Sequence, residues 1–165
     1  MKKLFIIGIG GSSKKANIEV HDVQFVITDT IENSQEVLID GWYGDALHID
    51  TYAELKGADG YAIEIHDEPQ QREVNLYFVH LGGYLMEIFG EQHEYGFFVA
   101  KTEKEAKDKA KKTMLKHIKD IHADGVFNME KSLKFADGKT AYIHLIPDGC
   151  EYQLLPDWNG YKKIK

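Results

Sequence analysis

The chain runs through one pattern of apolar and polar positions twice. Each pass opens with an unbroken apolar run, Leu4–Ile9 and then Leu76–Leu81, followed by Gly-Gly. Short apolar runs against glycines predict buried strands that stop there. An alternating stretch follows. Glu19, His21, Val23, Phe25 and Ile27 share one face of a strand, as do Glu91, His93, Tyr95, Phe97 and Val99, because strand side chains alternate. Next comes a helix. Thr102 and Glu105 have capping-box spacing, and Ala106, Ala110, Met114, His117, Ile118 and Ile121 recur at helical spacing, which predicts a helix over 102–121. Asp29 and Glu32 repeat the box in the first pass, where the helix is expected over 31–40, ending at Gly41. Two hairpin strands close each pass: 52–56 and 61–66 around Asp59-Gly60, then 132–135 and 139–146 around Asp137-Gly138, since an Asp-Gly step tolerates the positive φ of a tight turn.

Each unit therefore reads β-β-α-β-β, and the fold class is α+β: a tandem duplication forming a pseudo-symmetric pair with one main helix per unit. Residue identities support the duplication. Leu4–Thr30 laid on Leu76–Thr102 without a gap matches Leu, Gly, Gly, Glu, His, Phe and Thr, and later His48 and Asp50 meet His122 and Asp124. The expected boundaries are 1–68 for the first copy, 73–146 for the second and 147–165 for a tail that packs an aromatic or two and frays, the whole sharing one compact domain.

The runs NIEVHDVQFVITDTIE (17–32) and LHIDTYAELKGADGY (47–61), with LFIIGIGG before them and WYGDALHIDTY within them, resemble a bacterial family of uncharacterised proteins, domain-of-unknown-function family 1543. The resemblance implies one or two copies of the domain. It covers the first copy well, and the second keeps Gly-Gly, Glu91, His93 and Ala-Asp-Gly. It implies no catalytic residues.

Composition narrows the function. Twenty Lys plus Arg against 27 Asp plus Glu give a net charge of -7, so a dedicated nucleic-acid binder is not expected. The acidic excess lies in residues 1–72, and the second copy is neutral and lysine-rich. Lys104, Lys107, Lys109, Lys111, Lys112, Lys116 and Lys119 are read as a solvated face. One cysteine, Cys150, excludes an internal disulfide and a cysteine zinc site, and it is read as a bystander. No apolar run is long enough to span a membrane or to serve as a signal peptide, so the chain reads as soluble and cytoplasmic. The segment from Gly8 to Lys15 resembles a phosphate loop but lacks the Gly-Lys-Ser/Thr step and leads into a strand, and it is read as a plain turn.

The histidines carry the best lead. His21/His93, His48/His122 and His66/His144 are equivalent pairs. Glu19, His21, His48 and Asp50, with second-copy equivalents Glu91, His93, His122 and Asp124, are the candidate catalytic or metal-ligating residues, because two imidazoles and two carboxylates suit Zn²⁺, Mn²⁺ or Fe²⁺, or an acid–base pair. A structural role for these rings is the competing reading. Trp42-Tyr43 and Tyr152, Trp158 and Tyr161 are candidates for an aromatic-lined groove. No cofactor is identified by a motif, and a divalent transition metal is the alternative to none. The leading expectation is a binding or interaction module, using the groove or surface between the copies for a protein or small-molecule ligand. An enzyme or metal-binding protein with a carboxylate–histidine site is the alternative.

Overall fold

In the computed structural model, which describes residues 1–164, two sheets stack face to face and a third, smaller sheet joins them. The first copy contributes β1 (Lys3–Gly11), β2 (Val20–Thr28), α1 (Gln35–Gly41, entered through a 3-10 turn at Ile31–Ser34), β3 (His48–Glu54), β4 (Gly57–Ala58) and β5 (Tyr61–His66). The second contributes β6 (Asn75–Tyr84), β7 (Glu91–Ala100), α2 (Glu103–Thr113), β8 (Lys119–Asn128), β9 (Lys134–Phe135) and β10 (Tyr142–Pro147), and β11 (Trp158–Lys163) follows. The strand orders are β11-β3-β1-β2-β9, β7-β6-β8 and β10-β5-β4. The fold is α+β.

The central strands β1 and β6 are apolar on both faces because both faces are covered. Leu4 and Ile6 of β1 point into a shared core with Phe25, Leu76, Phe78, Phe97 and Ile143. Phe25 meets Phe78 edge-on at 4.9 Å, which fixes how the two sheets stack. Phe5, Ile7 and Ile9 point outward against Leu38 of α1, while Tyr77, Val79 and Leu81 face Ala106 and Ala110 of α2. The layers thus run helix, sheet, sheet, helix. The third sheet ties the copies together: β5 pairs antiparallel with β10, Ile65 opposite Ile143. Between the copies, Gln70 mimics a strand neighbour by exchanging hydrogen bonds with Leu145, and Arg72 donates to the carbonyls of Val74 and Ile143 and to Glu130.

Four expectations are corrected. The Gly-Gly pairs do not stop their strands, since Gly10, Gly11, Gly82 and Gly83 lie inside β1 and β6. The segment Gly8–Gly11 is therefore strand rather than turn. The second helix ends at Thr113: Met114 is extended and Leu115 turns at φ 52°, so His117, Ile118 and Ile121 lie beyond it and Lys119 begins β8. The hairpin strands also shift, with β3 beginning at His48 and β10 running from Tyr142 to Pro147. Finally, the later part of the tail is a strand, with β11 forming the edge of the first sheet through Trp158 opposite Tyr52 and Lys163 opposite His48. No helix among the described residues is long and apolar enough to cross a membrane.

Candidate functional site

One row of three residues builds each cluster. In the first copy, His21 of β2 and His48 of β3 both stand opposite Gly10 of β1. In the second, His93 of β7 and His122 of β8 both stand opposite Gly82 of β6. Glu19 lies two residues before His21, so strand alternation returns it to the same side. Asp50 follows His48 at a β-bulge: the register shifts between Gly8 and Ile9, leaving Asp50 without a partner in β1. The same shift between His80 and Leu81 leaves Asp124 unpaired. An extra residue re-aims a side chain, and both bulges turn a carboxylate onto the histidine row.

All four sequence candidates of each copy are therefore brought together. His21 Nε2 is 3.8 Å from Glu19 Oε2 and 3.6 Å from Asp50 Oδ2. His48 Nδ1 is 3.6 Å from Glu19 Oε1, and its Nε2 is 2.9 Å from Asp50 Oδ1. In the second copy His93 Nε2 is 3.6 Å from Glu91 Oε2 and its Nδ1 3.3 Å from Asp124 Oδ2. His122 Nε2 is 2.6 Å from Glu91 Oε1 and 3.1 Å from Asp124 Oδ1.

The glycines make room. A Cβ on Gly10 would lie 2.7 Å from His21 Cδ2, 2.8 Å from Asp50 Oδ2 and 2.9 Å from His48 Nε2, closer than real side chains approach. A Cβ on Gly82 would meet Glu91 Oε1 and, at 2.6 Å, Asp124 Oδ2. Inside a strand, glycine marks a place where other atoms must come close to the backbone.

The two sites differ in cover. Tyr161 of β11 stacks on His48, ring centroids 4.1 Å apart, and His48 is 2% exposed. In the second copy β8 is an edge strand, and the His122 side chain is 45% exposed. A hydrogen bond with the Asp120 carbonyl is the leading cause that raises the His122 pKa; desolvation opposes it, and the Asp124 and Glu91 charges add to it. The second copy also has a residue that the sequence reading did not single out. His80 stands where the first copy has Gly8, two residues from Gly82 on the same strand face, and its Nε2 lies 4.0 Å from Asp124 Oδ2. Burial first, and then the His93 charge, lower its pKa. The signal that would have found it is the two-residue spacing to Gly82.

Both clusters border one cleft between the copies, about 740 Å³ in volume. His21 and Asp50 line one side, His80 and His93 the other, with Phe25, Phe78, Tyr95 and Phe127 between them. The remaining leads fall elsewhere. His66 and His144 stack on each other at 4.0 Å across β5 and β10, bound to Glu64 and to the Glu68 carbonyl. Trp42 lines a separate pocket with Tyr161, and Trp158 packs on Tyr52. Tyr152 donates to Asp148, and Cys150 is exposed. On α2, Lys104 pairs with Asp108, and Lys109 bonds Asp59 and the Val99 carbonyl.

No curated protein matches this chain. The chain is similar to a solved structure, the crystal structure of a protein Il1583 from Idiomarina loihiensis, at 30% identity and a TM-score of 0.72, covering 100% of this chain and 99% of that one. A family profile described as Domain of Unknown Function (DUF1543) matches residues 16–65 and again 89–137, stretches that contain Glu19, His21, His48 and Asp50 and then Glu91, His93, His122 and Asp124. With more than half its length matched, in two regions, the chain belongs to the DUF1543 family and carries the domain twice.

Proposed function

We propose that each copy binds a divalent transition-metal ion through its Glu-x-His and His-x-Asp pairs and presents it to the cleft between the copies, where a small ligand completes the ion's coordination. The observation that carries this reading is His48. Its ring is 2% exposed, and its Nε2 is buried without an aligned hydrogen bond, although Asp50 Oδ1 lies 2.9 Å away. An unpaired buried ring nitrogen is costly, and an ion in the cluster removes that cost.

Spacing supports the same reading. Two donors held about 2.1 Å from one tetrahedral ion lie about 3.4 Å apart. The 3.8 and 3.6 Å separations from His21 Nε2 to Glu19 Oε2 and Asp50 Oδ2 fit a shared ion and are long for hydrogen bonds. Two carboxylates facing two imidazoles form a donor set that attracts a dication. Mixed nitrogen and oxygen donors suit zinc, manganese or iron rather than calcium. The cleft adds a binding surface with an aromatic wall, the usual make-up of a small-molecule site.

Chelator-stripped protein dialysed against Zn²⁺, Mn²⁺ or Fe²⁺ tests this. Uptake is expected, and His21→Ala and His48→Ala should each abolish the first copy's share. His21→Ala is the cleaner variant because that side chain is 58% exposed and its loss leaves no buried hole. Uptake of none of the three metals refutes the reading.

A further inference from the structure

We propose that the second copy holds two ions bridged by the Asp124 carboxylate, whereas the first copy holds one. The inference rests on the metal reading above and deepens it. The two copies share a row of Glu, His, Gly, His and Asp, but only the second adds a third imidazole, His80, in the place of Gly8. A fifth donor beside the shared row gives the second copy enough ligands to hold a second ion.

The geometry divides the five residues into two sets. Asp124 Oδ2 faces His93 Nδ1 at 3.3 Å and His80 Nε2 at 4.0 Å. Its other oxygen, Oδ1, faces His122 Nε2 at 3.1 Å, and His122 lies 2.6 Å from Glu91 Oε1. Within His80, His93 and Asp124, and within Glu91, His122 and Asp124, all donor atoms lie within 4.8 Å of one another. Asp124 belongs to both sets, with one oxygen turned to each. A carboxylate that bridges in this way holds two ions at the spacing of two-metal centres, about 3.5–4 Å.

Two further observations agree. Glu91 Oε1 is buried and has no aligned hydrogen bond, although His122 Nε2 lies 2.6 Å away. A Cβ on Gly82 would strike that oxygen and Asp124 Oδ2, so the strand leaves open the space between the two sets. His80 and His93 line the cleft, while Glu91 and His122 do not. The ion on His80, His93 and Asp124 therefore has three protein donors and an open side toward the cleft, the arrangement of an ion that receives a ligand or activates a water.

Metal counting on the full-length, chelator-stripped chain tests this, with Mn²⁺ as the probe, read by elemental analysis and by electron paramagnetic resonance. Three ions per chain and an exchange-coupled pair signal are expected. His80→Gly, which installs the first copy's residue, should lower the count to two and remove the coupled signal while leaving the first-copy ion in place. His80→Gln, which keeps side-chain bulk on the strand, should do the same if the glycine variant folds poorly. Two ions or fewer in the unaltered chain, or no coupled signal at full loading, overturn the bridged pair. A count of zero overturns the metal reading beneath it.

Discussion

Replacing Gly10 with alanine adds one methyl group at the centre of the first cluster. That methyl would sit 2.7 Å from His21 Cδ2, 2.8 Å from Asp50 Oδ2 and 2.9 Å from His48 Nε2, so three neighbours must give way together. They are not equally able to. His48 is 2% exposed and has Tyr161 stacked on it at 4.1 Å, so it is hemmed in. Asp50 is held by its bulge in β3. His21, with its side chain 58% exposed, is the one free to swing into solvent. Overpacking of this kind costs about 1–3 kcal/mol, partly offset by the roughly 0.5–1 kcal/mol that alanine gains over glycine inside a strand. The net loss of stability should therefore be small, about 1 kcal/mol. The loss of one donor should be large, lowering metal affinity about 100-fold, the upper end of what displaced ligand support costs. The assay is zinc competition against a chromophoric chelator. It is run in a His93→Ala/His122→Ala background so that only the first copy reports, with urea denaturation in parallel. Gly96→Ala is the control, since its methyl meets Phe98 and Met114 at an ordinary 3.4 and 3.5 Å. If Gly10→Ala binds zinc as tightly as the parent, the glycine is not the floor of a metal site and the reasoning fails.

Two other predictions stand apart from the metal. Arg72→Ala removes a largely buried guanidinium and leaves the Val74 and Ile143 carbonyls without their donor, so the urea midpoint should fall by the equivalent of about 2–3 kcal/mol. Arg72→Lys should recover little, because an ammonium cannot fork to both carbonyls, and an unchanged midpoint in either variant would refute this. Tyr152 donates to the Asp148 carboxylate, which pushes its pKa up to about 12. In a spectrophotometric titration one of the nine tyrosines should keep its proton at about pH 11, above the ordinary value of about 10, and should titrate normally in Asp148→Asn. A variant that titrates like the parent would show that the carboxylate is not the cause.

Two-residue spacing put Glu19 near His21 and Asp50 near His48, and internal repetition linked them to Glu91, His93, His122 and Asp124. Those inferences needed only local geometry. What failed needed distant partners. Gly10 and Gly82 look like strand breakers in isolation, and their use appears only when histidines from two neighbouring strands converge on them. Met114, Ile118 and Ile121 continue a helical period beyond the helix end, because a turn at Leu115 leaves no mark in the spacing of apolar residues. β11 has no pattern of its own and becomes a strand because the edge of β3 is open to it. The β5–β10 pairing was equally hidden, since nothing in two alternating strands says which other strand each will choose.

The cover on His48 has a consequence for timing. The donors of the first cluster, Glu19 to Asp50, are synthesised well before the strand that closes over them, β11. β5 likewise waits for β10, which is not synthesised until the second copy is nearly complete. A growing chain thus holds every donor of the first cluster before it holds the ring that covers His48. Tyr161 then covers the His48 side of the cluster, while His21 stays open to solvent. In the second cluster the nearest ring, Tyr84, lies 6.0 Å from His122 and leaves its side chain 45% exposed, so that side keeps its contact with the surroundings throughout.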